Sequence, residues 1–424
     1  MAAISLWKGY HSPSLVDRLR TAWEGDRLMI FLPVLLNDFS FVSQLPEGDI
    51  ECLGTWTEDE KAIVARTPRT PRTYPRPPVL GLFSSGSAGG LPKLILYSKD
   101  NVEFALMGVM RFFDTDRIDH VFCYPHPFHT FGLLLGYVLA VLNKWRFTAL
   151  DGKYNSHFHE QWLTEVGPGT LTLGTPTHYK DLMHFVAARN ETPRASYACI
   201  AGGAPVGPQL WQSLRDHLKI ENPSVGYGAT EASPALTHLP PGRKPESAGD
   251  IGFALEGVEI RMLPGAGFEF KGPNVCLAIL QDGTITFPEK ILLKDDLQKN
   301  ADGSYSFLGR TDFTLNRGGE KFKLEDIENH LFETFKLNAT ALAVPDTRLG
   351  FDLALLIDST CAAAIHREDM LKALHQKYRV LFNKALFQRT PHFPLNESGK
   401  RDRARAAIEW RALYDNSQKI YGTP

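Results

Sequence analysis

A chain of 424 residues with 43% hydrophobic and 22% charged residues is long enough for two or three domains around a large buried core, which excludes an intrinsically disordered protein. Its 46 Lys and Arg against 48 Asp and Glu leave a formal net charge of -2, so no field favours nucleic acid or an acidic membrane, and small ligands are the expected partners. Cys52, Cys123, Cys199, Cys276 and Cys361 are odd in number and scattered, with no CxxC pair and no secretory leader before them, and read as reduced thiols of a cytoplasmic protein.

In chain order, the first 65 residues offer little beyond the amphipathic stretch VDRLRTAW (16–23). ARTPRTPRTYPRPP (65–78) follows, its prolines imposing an extended, solvated linker. From 79 the pattern changes. VLGLFSS, HVFCY, RFTAL, TLTLG, YACIA and PSVGY are short apolar runs rich in branched or aromatic residues and predict buried strands. Between them a helix opens after Ser98, with Val102, Ala105, Leu106, Val109 and Phe113 at helical spacing, and another follows Thr177 in THYKDLMHFVAAR. FGLLLGYVLAVLN (131–143) is too short to span a bilayer and predicts a buried helix. The alternation argues for a mainly parallel sheet covered by helices. Between about 248 and 309, GVEIRML, FEFKG, CLAIL, GTITF and SYSFLG predict a small β-rich subdomain. After 312, EDIENHLFETF and HREDMLKALHQKY read as helices and ATALAV and LALLID as strands of a separate α+β domain.

The loop SSGSAGGLPK (84–93) has its own chemistry. Glycines and serines can turn backbone N–H groups to one side and let an anion approach the main chain. The hydroxyls of Ser84, Ser85 and Ser87 and the charge of Lys93 add donors suited to phosphate. No Gly-Lys-Ser/Thr closes the stretch, so it is not a Walker loop, and taken alone such a loop is more often a plain turn or linker.

Taken with PFHTFG (127–132), GTPTHY (174–179), AGGAP (201–205), GYGATE (226–231), DGSYSFLGRTDFTLNRGGEKFKLEDIE (302–328) and PLNESGKRDR (394–403), the loop resembles the adenylate-forming superfamily of acyl-CoA synthetases, peptide-synthetase adenylation domains and firefly luciferase. The resemblance covers about residues 79 to 410 in the family's order. NRGGEK followed by EDIE is most similar to the acyl- and aryl-CoA ligase branch, and the short chain also resembles the o-succinylbenzoate-CoA ligases. It implies a large α/β N-terminal domain with helix-covered sheets and a small β-rich subdomain, and a smaller, mobile α+β C-terminal domain. The boundaries are 1–78 for a shortened N-terminal segment and linker, 79–311 for the AMP-binding core, and 312–424 for the mobile domain. That last domain is expected to be complete and the front cut short, and dimerisation is one way of replacing the missing packing.

The family's chemistry joins a carboxylate to the α-phosphate of Mg-ATP, then lets a thiol displace AMP. By motif, Ser84, Ser85, Gly86, Ser87, Gly89 and Lys93 would hold the β and γ phosphates, although Ala88 replaces a common hydroxyl and Gly90-Leu91 adds a residue. Gly202, Gly203, Ala204, Tyr227 and Gly228 would enclose adenine, Thr230 would bond the α-phosphate, and Glu231 would coordinate Mg2+. Asp296 would accept the ribose hydroxyls with Arg310 beside it, Asp295 standing where relatives carry glycine. His129, with His126 as rival, and Thr175, Pro176 and Thr177 would line the acyl pocket. Lys400 would be catalytic, Asp312 the hinge, and Gly319 the wall of the thiol tunnel. ATP and Mg2+ are the implied cofactors, with a carboxylic acid and CoA, or a carrier protein, as partners. A stand-alone enzyme that loads a carrier protein is the near alternative. A degenerate nucleotide-binding regulator is the distant one, opposed by the presence of Lys93, Glu231 and Lys400 together.

Overall fold

The computed structural model describes residues 4–421 except 35, 37, 70–72, 85–92, 149, 265, 312, 318–319, 347, 361–364, 381, 383–385 and 396–400. Internal contacts divide the chain into two units. The first is Met1–Arg261 with Glu269–Leu292 and Lys299–Ser306; the second is Met262–Phe268, Leu293–Gln298 and Phe307–Pro424.

The first unit holds two large sheets. One has seven strands in the order Thr284–Thr286, Ala278–Gln281, Lys93–Tyr97, Leu80–Ser84, Leu28–Leu32, Ile4–Lys8 and Ile50–Gly54. Its last four strands are parallel and the rest antiparallel, so the sheet is mixed rather than mainly parallel. Three of the seven strands come from the first 65 residues, where sequence patterning shows only the helix Leu15–Glu24. Ile4–Lys8 and Leu28–Leu32 are buried on both faces, so they lack the alternation that betrays a half-exposed strand. The helix itself is legible because Leu15, Leu19, Ala22 and Trp23 bury one stripe. Nor is the proline-rich stretch a solvated linker throughout: the Tyr74 hydroxyl donates to the Gln44 carbonyl at 3.0 Å and Arg76 pairs with Asp100 at 3.0 Å.

The second sheet of this unit runs Asp250–Ala254, Ala235–Leu239, Ile220–Gly228, Ser196–Gly202, Thr170–Gly174, His120–Cys123 and Arg146–Phe147, with Tyr305–Ser306 beside Asp250–Gly252. The strands from Ile220–Gly228 to Arg146–Phe147 are parallel, as the apolar runs predict. Helices Lys99–Met110 and Pro176–Arg189 also form. The first is capped by Ser98 with Asn101 reciprocating. The second is capped by Thr175, with Pro176 in its first turn, two residues ahead of the expected Thr177. Proline at that position leaves no N–H to satisfy, and Thr175 has the extended backbone a cap needs. Phe131–Val138 is π-helical and continues as an α-helix, Leu139–Asn143, buried as expected. Within the strand-rich stretch 248–309, Glu259–Leu263, Gly267–Lys271 and Lys290–Leu293 form a three-stranded sheet of their own, while Ala278–Gln281 and Thr284–Thr286 extend the seven-stranded sheet and Asp250–Ala254 extends the other.

The second unit is built on five strands, Glu320–Lys323, Thr314–Arg317, Gly350–Asp358 and Ala339–Asp346, with Leu386–Thr390 pairing Gly350–Asp358 in parallel. Helices Leu324–Phe335 and Arg367–Tyr378 bury Ile327, Leu331, Met370 and Leu374 in one core with Leu353 and Leu355, matching the α+β expectation. Among the described residues no helix is long and apolar enough to cross a membrane.

Candidate active site

Four neighbouring parallel strands deliver most of the expected site of the first unit. His120–Cys123, Thr170–Gly174, Ser196–Gly202 and Ile220–Gly228 pair in that order, with Cys123 opposite Leu173, Gly174 opposite Ala201 and Gly202 opposite Gly226. At their carboxyl ends follow, in turn, His126 and His129, Thr175 and Pro176, Gly203 and Ala204, and Thr230 and Glu231. In a parallel sheet the connections leave at that edge, which is where such folds bind ligands.

Local geometry explains why small residues stand there. Gly203 takes φ +80°, a conformation L side chains rarely adopt. A Cβ on Gly228 would lie 1.8 Å from the Pro234 carbonyl oxygen. Tyr227, opposite Thr237, is half-buried. Beyond Gly228 the chain makes the short turn Thr230–Ala232, held by Tyr97 of the seven-stranded sheet, whose hydroxyl donates to the Thr230 carbonyl at 2.7 Å, and by Cys276, two residues before the strand Ala278–Gln281, whose N–H donates to the Glu231 carbonyl at 3.0 Å. The Glu231 side chain is half-buried and makes no hydrogen bond or ion pair among the described residues. No group of three metal-ligating side chains exists among them either. One unengaged carboxylate fits Mg2+, which keeps most of its shell as water and substrate phosphate.

Ser84 and Lys93 face each other across the hairpin of Leu80–Ser84 and Lys93–Tyr97, and both are half-buried. Lys93, Ile95 and Tyr97 share one face of their strand, because side chains alternate with a period of two. Lys93 therefore looks to the side on which Tyr97 meets Thr230. Ser85, Gly86, Ser87 and Gly89 lie outside the described residues.

The expected acyl side is a cluster of rings that sequence reasoning only partly identified. His129 is half-buried, and its ring lies 4.6 Å from that of Phe128. His126 is buried against Phe128 at 5.2 Å, with Nδ1 bonded to nothing among the described residues, and burial beside other histidines pulls its pKa down to about 2. Thr175 N–H and hydroxyl both reach His178 Nδ1 at 3.1 Å, and burial lowers His178 to about 3. Tyr10 and His11, from the part of the chain with no readable signal, also belong here. Tyr10 lies 5.0 Å from the His126 ring and His11 4.8 Å. The His11 Nε2–H donates to the Tyr124 carbonyl at 3.1 Å and Nδ1 accepts from the Tyr137 hydroxyl at 2.8 Å. Only the fold could reveal this, since the two residues stand more than 110 positions before their partners.

In the second unit Asp295 pairs with Arg310 at 3.4 Å, while Asp296 pairs with Lys323 at 3.3 Å. Arg310 is thus beside Asp295 rather than Asp296, because successive residues of the strand Asp295–Lys299 point to opposite sides. Asp296 is the more exposed carboxylate of the two, 35% against 16%. Asp312, Gly319 and Lys400 lie outside the described residues.

A family model described as AMP-binding enzyme matches residues 37–273, more than half of the chain. The chain belongs to the AMP-binding enzyme family. Among curated relatives of this family member, an acyl-CoA ligase from Penicillium expansum is 26% identical over 294 residues, covering 63% of this chain and 60% of the relative. An acetyl-coenzyme A synthetase from Beijerinckia indica is 24% identical, covering 64% and 46%, and a medium-chain acyl-CoA ligase from Danio rerio is 26% identical, covering 65% and 48%. The match thus spans about half the length of these relatives. The fold is that of the o-succinylbenzoate CoA synthetase of Bacillus subtilis bound to its acyl-adenylate, with TM-score 0.75 and 16% identity over 94% of this chain and 87% of that one. MatB of Rhodopseudomonas palustris bound to ATP gives TM-score 0.74 and 16% identity over 98% and 90%.

Proposed function

We propose that this family member is an ATP-dependent acid-thiol ligase acting in a reducing, cytoplasmic setting. A carboxylate oxygen attacks the α-phosphorus of ATP, the bond to the β-phosphate oxygen breaks, and pyrophosphate leaves; a CoA thiol then displaces AMP from acyl-AMP. The carrying observation is the gathering of His129, Thr175, Gly203 and Thr230 at the carboxyl ends of four adjacent strands, with the Thr230 turn bound by Tyr97 to the strand that begins at Lys93.

Lys93 and the loop before it stabilise the departing pyrophosphate, and Thr230 donates to the α-phosphate. Glu231 is the residue to hold Mg2+, which when bound supplies charge neutralisation for the phosphates. Asp296 takes the ribose. Lys400 orients the attacking carboxylate and offsets charge built on phosphorus, an effect worth roughly 100- to 1000-fold in rate. The acid is apolar or aromatic, an o-succinylbenzoate-like compound included. Supporting this, His126 and His178 are held neutral in a nest of aromatic rings, and PHPFHTFG contains no carboxylate to receive an ammonium group.

The test is ATP–pyrophosphate exchange driven by a panel of benzoates, straight-chain acids and amino acids, followed by offering CoA or a phosphopantetheinyl carrier protein. Exchange with benzoates or medium-chain acids and thioester formation on free CoA are expected. Acylation of the carrier protein alone would reassign the second step, preference for leucine or phenylalanine would overturn the substrate class, and no exchange with any acid would overturn the enzyme. Lys400→Ala should lose most exchange while binding ATP with parental affinity.

A further inference from the structure

His178 is the third residue of the helix Pro176–Arg189, and its side chain closes the cap: Nδ1 accepts from Thr175 N–H at 3.1 Å, while the Thr175 hydroxyl oxygen accepts from His178 N–H at 3.5 Å. A ring nitrogen that accepts from a main-chain N–H carries no proton of its own. Burial, and after it the neighbouring His11, His159 and His129, lower the pKa to about 3, so the imidazole is neutral and has a single proton. That proton is therefore on Nε2, which makes no hydrogen bond among the described residues.

The surroundings fix where this donor points. The ring stacks on Tyr124 at 5.3 Å and 19°, and meets Tyr154 edge-on at 4.7 Å. Both tyrosines belong to a chain of hydrogen bonds that runs one way: the Tyr124 hydroxyl donates to His159 Nδ1 at 3.1 Å, His159 Nε2–H donates to the Tyr154 oxygen at 3.0 Å, and the Tyr154 hydroxyl donates to Asp181 Oδ2 at 3.0 Å. Asp181 stands three residues after His178 on the same helix. One helix thus holds the imidazole at its cap and, through Asp181, the two rings that clamp it.

A second imidazole nitrogen in this nest also lacks a partner. His126 Nδ1 is buried and bonded to nothing among the described residues, and His178 is one of the groups whose charge would oppose its protonation. A buried donor left unsatisfied costs about 1–3 kcal/mol, which a ligand oxygen would recover. Neutral imidazoles supply donors without charge, so they suit an uncharged oxygen better than a second carboxylate.

We propose that His178 is a specificity-determining residue of the acyl site, its Nε2–H donating to a hydroxyl or carbonyl oxygen that the acid carries apart from its reacting carboxylate. The inference rests on the ligase reading and narrows its substrate class to oxygen-substituted acids. An ammonium group, with protons to give and no lone pair, finds no partner in this donor.

The experiment uses the full chain and measures kcat/KM for ATP–pyrophosphate exchange with matched acids: the ortho, meta and para hydroxybenzoates against the corresponding toluates, and the acetylbenzoates against the isopropylbenzoates. The parent should prefer the oxygenated member of at least one pair roughly 10- to 100-fold, the effect of leaving one buried donor unpaired. His178→Phe keeps the packing on Tyr124 and Tyr154 and removes the donor. It should bring that preference to within about threefold, by loss on the oxygenated acid, with the KM for ATP and the rate on the methyl or isopropyl partner within about threefold of the parent's. His178→Gln, which keeps a capping acceptor for Thr175 N–H, should hold the thermal midpoint at the parent's and still lose the preference. Equal losses on both members of a pair would assign His178 to the helix cap alone and overturn the inference. So would a parent with no preference in any pair. Absence of exchange with every acid would instead overturn the ligase reading, and the inference with it.

Discussion

The hydroxyl of Tyr97, fully buried at the end of one sheet, donates at 2.7 Å to the carbonyl of Thr230, on a turn at the edge of the other. This bond ties the residue expected to meet the α-phosphate to the strand that begins with the lysine expected to meet the β and γ phosphates. Tyr97→Phe keeps the ring and removes the tie. The stability loss should be about 1–2 kcal/mol, because a buried carbonyl loses its partner. Exchange should slow further than that loss explains, through a displaced Thr230. Denaturant unfolding beside exchange kinetics checks it, and a stability loss without any change in rate would show that the turn holds its place by itself.

Glu231→Gln should weaken the magnesium dependence of exchange and cost much of the rate, since an amide is a poor ligand for a hard cation. Its side chain makes no hydrogen bond or ion pair among the described residues, so the thermal midpoint should stay within a degree or two of the parent's. An unchanged magnesium titration would sink the assignment.

Gly228→Ala should be far more damaging than its size implies. The added methyl group would sit 1.8 Å from the Pro234 carbonyl oxygen, and backbone on both strands would have to part. A loss of about 2–3 kcal/mol is expected, at the upper end for overpacking. Urea unfolding decides it, and a midpoint equal to the parent's would contradict the packing described.

Acid should unfold the protein through histidines that are neutral when folded. Burial lowers His11 to about 4, with Nε2–H donated and Nδ1 already accepting, so the folded site has no room for a second proton. The unfolded imidazole takes one near pH 6.5. Because the folded pKa is the lower one, stability is intact above pH 6.5 and is lost as pH falls. Between pH 7.5 and 5 this single group should account for about 2 kcal/mol. His11→Phe should make the acid limb of a stability profile shallower by that amount, and an identical slope in parent and variant would remove His11 from the account.

Gly319→Leu separates the half-reactions from the other direction. If Gly319 walls the thiol tunnel, exchange should persist while acyl-CoA formation from supplied acyl-AMP fails. If it merely serves a turn, both activities and the thermal midpoint should fall together.

The family of this protein was legible in an ordered set of short motifs, and its local structure wherever that depends on a few adjacent residues. Gly203 at positive φ, the strand TLTLG and the cap of Lys99–Met110 are properties of a few adjacent residues, and they appear in the chain as they do in the fold. The neighbouring cap was misplaced by two residues because both Thr175 and Thr177 can cap, and only the backbone angles choose between them. What pairing decides stayed hidden. Ile4–Lys8 and Leu28–Leu32 are buried on both faces and carry no periodic signature, so the first 65 residues did not show that they build nearly half of a seven-stranded sheet. Arg310 met Asp295 instead of Asp296 because strand pleat sends adjacent carboxylates to opposite sides. Tyr97 with Thr230, His11 with Tyr124 and Tyr137, and Glu328 with Arg401 and Arg403 are contacts between residues 73 to 133 positions apart. Each side chain alone is an ordinary tyrosine, histidine or glutamate; folding, by removing water from around them, gives the partners their meaning.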